Sequence, residues 1–341
     1  FNLRNLRNLL ISLKEQNMKT QNITIIGLRR TGLSIALAIK ATPLEITLIG
    51  SDSDRGLNKQ ALESGAVDKT ESNLIRAASV ADILVLAMPS VELEGTLRAI
   101  GGDLQEHTLV IDLTALKGPG AKFAEQYIKK GHYIGARPVF SAATFTDGVS
   151  AAASARADLF TNSVFCLMPG AETDPQAVET AVNFGRLLGA SPYFVDPLEY
   201  DSLAQGVESM PGLMAASIFA AINKTTGWRD ILRFADLPFA TATMPLDAEP
   251  DELAYLALND KLATLRWLDA LTTEITTLRR IVYEGNTEVL NALLAEMNES
   301  RARWLLERAE NDWLEIKDTA VEVPGVGQRF LGGLTNLGSK R

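Results

Sequence analysis

The stretch Ile23-Thr-Ile-Ile-Gly27-Leu28-Arg29-Arg30-Thr31-Gly32-Leu-Ser34 decides the fold of the first half of this 341-residue chain. The β-branched run 23–26 reads as a strand that ends in a turn at Gly27, and Gly32 opens an amphipathic helix through Leu33, Ile35, Ala36, Leu37 and Ile39. A G-x-G-x-x-G loop in that setting cradles the pyrophosphate of a dinucleotide: the first glycine makes the turn, the third allows close helix–strand packing, and the second lets the backbone approach the phosphates. Here Arg29 replaces the second glycine. Its side chain either fills the phosphate site or lends a positive charge to it.

A second strand at 46–49 ends near Ser51 and Asp52, about 20 residues beyond the glycine turn, where a carboxylate normally meets the ribose hydroxyls. Ser51 and Arg55, with Arg29 and Arg30 across the turn, equally suit a 2′-phosphate, so NADP is as plausible a cofactor as NAD. Further strands are expected at 83–87, 109–113, 133–136 and 164–168. Ligands of doubly wound sheets lie beyond the carboxyl ends of the strands. Met88, Pro89 and Thr114 therefore join Gly27, Leu28, Arg29, Arg30, Thr31, Gly32, Ser51, Asp52 and Arg55 as cofactor-binding candidates.

The strand–helix alternation fades after Asp196, and from about Asp201 apolar residues recur at helical spacing over 203–223, 251–283 and 287–312. The expected architecture is α/β, an N-terminal Rossmann-like doubly wound parallel sheet (18–196) followed by an all-helical substrate and dimerisation domain (197–323). An N-terminal extension (1–17) and a Gly-rich flexible tail (324–341) flank them. The helix around 213–222 carries more apolar surface than one layer hides, which favours a homodimer.

With 46% hydrophobic and 22% charged residues, the composition is that of a globular protein. A formal charge of -9 argues against nucleic acid or anionic membrane as partner and leaves a small anionic substrate. No apolar run is long enough for a transmembrane helix, and residues 1–17 lack a signal-peptide cleavage pattern, so a cytoplasmic protein is expected. One cysteine, Cys166, and two histidines, His107 and His132, offer no metal-ligand spacing; no metal is expected, and all three read as ordinary structural or surface residues.

From Met18 to about Asp312 the chain resembles prephenate and arogenate dehydrogenases, the redox step toward tyrosine. The likeness runs in order through the glycine turn, Asp112-Leu-Thr-Ala-Leu-Lys117, Gly135-Ala-Arg-Pro138, Ala155-Arg-Ala-Asp-Leu-Phe160, Asp196-Pro-Leu-Glu-Tyr-Asp201, Met210-Pro211 and Gly227-Trp-Arg-Asp-Ile-Leu-Arg233. It implies hydride transfer from a ring carbon to a nicotinamide, coupled to loss of the ring carboxylate as carbon dioxide.

The resemblance also locates departures. Arg137 stands where the family carries the histidine of a Gly-His-Pro loop, which takes the hydroxyl proton; an arginine stays protonated and holds an anion instead. Ala115 replaces a serine, and Tyr200, Ser209 and Gly212 replace further histidines. Arg137, Lys117 and Tyr200 are the catalytic candidates. Arg229 and Arg233, at i and i+4, match the family's Phe-Arg-Asp-x-Thr-Arg pattern, whose second arginine is similar to one that clamps a substrate carboxylate; with Ser209 they are the substrate-binding candidates, and the plainer reading pairs them with Asp230 and Asp236. Two functions stay open: an NAD(P)-dependent oxidoreductase of this type, or a catalytically retired homodimer of the same fold that binds a ligand or partner.

Overall fold

The computed structural model describes residues 21–145 and 154–311. The proposed extension and the flexible tail lie outside the described residues. Strand β1 (Gln21–Ile26) leads into helix α1 (Arg30–Lys40), β2 (Ile46–Ser51), α2 (Arg55–Glu63), the two-residue β3 (Lys69–Thr70) and α3 (Leu74–Ser79). Then come β4 (Ile83–Leu86), α4 (Ser90–Ile100), β5 (Leu109–Asp112), α5 (Lys117–Tyr127), β6 (His132–Pro138), β7 (Ser163–Pro169), α6 (Pro175–Leu187) and β8 (Ala190–Phe194).

All eight strands form one sheet in the order β3-β2-β1-β4-β5-β6-β7-β8. Every pairing is parallel except β6 with β7, where Arg137 lies opposite Cys166. Chain order reverses between β1 and β4, which creates a crevice beyond their carboxyl ends. The central strands are buried on both faces, as helix-covered parallel sheets require: Ile25, Leu84, Val85, Val110 and Ile111 are all fully buried. Removing each such side chain from water contributes roughly 1.5–3 kcal/mol, which makes the sheet a rigid platform for the loops at its edge.

The helical region begins at α7 (Pro197–Glu208), capped by the Asp196 carboxylate, which accepts from the Leu198 and Glu199 N–H groups. It continues through α8 (Met210–Asn223), α9 (Trp228–Arg233), α10 (Leu237–Thr243), α11 (Pro250–Asn259), α12 (Lys261–Glu284) and α13 (Thr287–Glu310). Two of the long helices expected from periodicity are in fact broken. The 203–223 segment divides at Ser209, because Pro211 in the first turn of α8 cannot donate back to the preceding turn. The 251–283 segment divides at Asp260, whose carboxylate accepts from the Ala263 N–H and so starts a new helix.

Among the described residues no helix is long and apolar enough to cross a membrane. The helical region leaves large side chains open to solvent in a single chain, among them Leu258 (70%), Leu262 (82%) and Val282 (65%).

Candidate functional site

The glycine loop is built for close contacts. Gly27 has φ +94°, a conformation that side chains other than glycine's resist, and a Cβ there would lie 2.5 Å from the Ala87 carbonyl oxygen. A Cβ on Gly32 would lie 1.9 Å from the Gly27 carbonyl oxygen, so this glycine sets the approach of α1 to the strand end. The turn is tied to β2 by two bonds. The Gly27 N–H donates to the Ser51 carbonyl at 2.9 Å, and the Leu28 N–H donates to the Asp52 carboxylate at 2.8 Å. Asp52 also accepts from the Asp54 N–H at 2.8 Å, which fixes its carboxylate at the end of β2.

Beside this turn is a cavity of about 220 Å³, in the crevice where the strand order reverses. Gly27, Arg29, Ser51, Asp52, Met88 and Pro89 line it, as the sequence suggests, together with Asp54 and Glu92, which it did not single out. Glu92 is held above the usual carboxylate range by burial and by the negative charge of Asp52. A nucleotide fits this lining: a glycine turn with no room for a Cβ, and a fixed carboxylate at the ribose position.

Six other candidates do not line the cavity: Gly32, packed against the strand end, Thr114, in the loop after β5, and Arg30, Arg55, Thr31 and Leu28. Arg30 is buried at 4% exposure with its guanidinium over the Phe140 ring, 5.0 Å from the centroid, so it is not available to a 2′-phosphate. Arg55 is exposed at the start of α2 and away from the lining. Thr31 lies in the first turn of α1, also outside it. Leu28 contributes its N–H to Asp52 while its side chain is fully buried against Gly50. Arg29 is half exposed, and both terminal nitrogens of its guanidinium donate to the Glu249 carboxylate at 3.0 Å.

A second cluster lies beside the cavity, reached through the loop after β5. Next to Pro89, the Ser90 hydroxyl accepts from the Ala115 N–H at 3.0 Å. Thr114 is buried, its N–H donating to Asp112 at 2.8 Å. Lys117 is also buried, and its ammonium donates to the carbonyls of Asp112 (2.9 Å) and Thr114. Burial pushes the Lys117 amine down to about 8, against the nearby Asp112 carboxylate. The Asp201 carboxylate accepts from the N–H groups of Lys117 and Gly118, both at 2.7 Å, and so caps α5; burial nevertheless raises its carboxyl above the ordinary value.

Across this loop, Nη2 of Arg137 lies 2.7 Å from each carboxylate oxygen of Glu208, and Nη1 approaches the Leu113 carbonyl at 3.4 Å. The two side chains retain 28% and 29% of their surface open, so the pair is within reach of solvent. Burial alone would lower the guanidinium, but Glu208 outweighs it and holds Arg137 charged, above its ordinary range. Burial raises the Tyr200 hydroxyl well above the usual phenol value and pushes the Cys166 thiol up to about 11. Both groups stay protonated near neutral pH.

The structure thus gathers Lys117, Arg137 and Tyr200 in one cluster and adds Glu208, which sequence reasoning missed. It does not bring Arg229 and Arg233 there in a single chain. Both are on the exposed α9, where Arg229 packs on Trp228 and Arg233 pairs with Asp230 at 3.3 Å. Ser209 is buried, with its hydroxyl bonded to Gln205. His107 sits at the surface against Asp82.

A doubly wound sheet, a glycine turn without space for side chains and a carboxylate at the end of β2 define a dinucleotide-binding protein with an appended helical region. Residues 35–193 match the family described as "Prephenate dehydrogenase, nucleotide-binding domain". The prephenate dehydrogenase of Bacillus subtilis strain 168 is 28% identical over 80% of this chain and 73% of its own length. Among solved structures, the A. aeolicus prephenate dehydrogenase in complex with hydroxyphenyl propionate and NAD+ superposes with a TM-score of 0.72, at 19% identity over 84% of this chain and 99% of that one. Synechocystis arogenate dehydrogenase superposes with a TM-score of 0.63, at 21% identity over 83% of this chain and all of that one. At these identities the superpositions establish the fold. The chain is thus similar to prephenate dehydrogenases, through the nucleotide-binding domain at residues 35–193 and along most of its length.

Proposed function

We propose that this protein is an NAD-dependent oxidoreductase that oxidises and decarboxylates a cyclohexadienyl carboxylic acid, prephenate or arogenate, in tyrosine biosynthesis. The observation that carries the cofactor choice is Asp52, fixed on the cavity rim by the Leu28 and Asp54 N–H groups. Its carboxylate accepts ribose hydroxyls and repels a 2′-phosphate. Of the arginines that would have favoured NADP, Arg30 is buried and Arg55 lies outside the cavity.

The nicotinamide, when bound, accepts the hydride. Arg137, kept charged by Glu208, holds the substrate's anionic oxygen and stabilises negative charge developing there. A guanidinium cannot accept a proton, so Glu208, the carboxylate paired with Arg137 and 29% exposed, takes the hydroxyl proton. Tyr200 remains protonated and serves as a donor. Lys117 acts as a positioning residue, its ammonium pinning the loop that joins the cavity to Arg137.

The exposed apolar side chains of the helical region support a homodimer, in which a second copy covers them. The reading is tested by calorimetric titration of nucleotide-free protein with NAD and NADP. Micromolar binding of NAD with at least tenfold weaker NADP supports it; tighter NADP overturns the role given to Asp52.

A further inference from the structure

Among the residues that line the cavity, Arg29 is the single cationic side chain, and it stands beside Asp52, Asp54 and Glu92. A nucleotide diphosphate entering this acidic rim has one guanidinium to meet. That guanidinium is engaged by Glu249, which lies 220 positions along the chain at the N-terminal edge of α11. One turn further on, the Glu252 carboxylate accepts from the Val91 N–H of α4 at 3.2 Å, so α11 is fastened to two sides of the cavity rim.

We propose that Glu249 competes with the nucleotide phosphates for Arg29, so that the start of α11 registers whether the cavity is filled. The inference rests on the nucleotide reading of the cavity given above. Arg29 and Glu249 are each 51% exposed, so their ion pair is weakly held and inexpensive to exchange. A diphosphate offers the planar guanidinium a more highly charged partner than a carboxylate does. Binding therefore transfers Arg29 from Glu249 to the phosphates and loosens one of the two attachments of α11. The Glu252–Val91 bond remains and keeps the helix in place. The residue that displaced the middle glycine thus becomes a phosphate ligand with a built-in competitor.

The experiment is calorimetric titration of the full chain, with NAD+, ADP and adenosine as probes, against the unaltered protein, Glu249→Gln, Arg29→Gln and the double variant. Glu249→Gln is expected to bind NAD+ and ADP about fivefold tighter, the equivalent of one exposed ion pair removed from competition. Adenosine, which has no phosphate, is expected to show no gain. Arg29→Gln is expected to weaken NAD+ and to abolish the gain in the double variant. Unchanged NAD+ affinity in Glu249→Gln, or an equal gain for adenosine, overturns the competition while leaving the nucleotide site intact. Failure of every folded variant to bind NAD+, with folding checked by circular dichroism, overturns the nucleotide reading itself and the competition with it.

Discussion

Arg137 and Glu208 carry the functional account, and their contribution is measurable by a double-mutant cycle. The variants are Arg137→Met, Glu208→Gln and both together. With Nη2 2.7 Å from each carboxylate oxygen, the gross attraction is several kcal/mol at an effective dielectric of about 20. Solvent reaches 28% and 29% of the two side chains, which screens the pair well below a buried one. The expected coupling is about 1–2 kcal/mol, between the values for exposed and buried ion pairs. Urea midpoints at constant slope supply the stability half of the cycle. Steady-state kinetics supply the other half. Loss of a charge-assisted bond to the substrate's anionic oxygen raises KM in Arg137→Met by roughly tenfold or more, with NAD affinity unchanged. A coupling within about 0.3 kcal/mol of zero is indistinguishable from independent sites. That result, together with an unchanged KM, would refute the assignment of this pair to the substrate.

Three further outcomes follow from the same geometry. Gly27→Ala forces a side chain into a left-handed turn and against the Ala87 carbonyl oxygen at 2.5 Å, so it costs about 2 kcal/mol or more in stability and removes NAD binding; a full-affinity variant contradicts the cradle. Arg137→His places an imidazole beside Glu208, supplying a proton acceptor better matched to neutral pH than a carboxylate. Prephenate turnover rises, and its pH profile gains a limb set by the histidine; unchanged turnover with NAD bound counts against the proton-transfer scheme. Lys117, at about 8 in the fold against 10.5 free, costs about 3 kcal/mol below pH 8. Because the folded value is depressed, that cost is relieved as pH rises from about 8 toward 10.5. The protein should gain most of it relative to Lys117→Met over that window; a pH-independent difference refutes the buried-amine assignment.

The sheet was legible because parallel strands buried on both faces are short apolar runs ending in Gly, Ser or Asp, and the 23–34 stretch states strand, turn and helix in one line. The antiparallel β7 was not, since strand direction leaves no trace in composition. Helix breaks at Ser209 and Asp260 depend on a proline and a cap within an otherwise continuous apolar pattern. In the site, Gly27, Asp52, Met88 and Pro89 were readable from their order after the strands. Arg30 was misread for a physical reason: an arginine next to a phosphate loop looks available, yet α1 turns it inward onto Phe140. Glu208 and Glu249 gave no local signal. Their roles come from partners 71 and 220 residues away, and a pairing across that distance exists only in the fold.

The central claim is oxidative decarboxylation with NAD, and its most direct test follows NAD reduction and carbon dioxide release together, with prephenate and with arogenate. The account predicts equimolar reduced nicotinamide and carbon dioxide with one of these acids, and a lowered rate of both in Arg137→Met at substrate concentrations near the KM of the unaltered protein. Protein that binds NAD at micromolar concentration yet reduces none with either acid would contradict it.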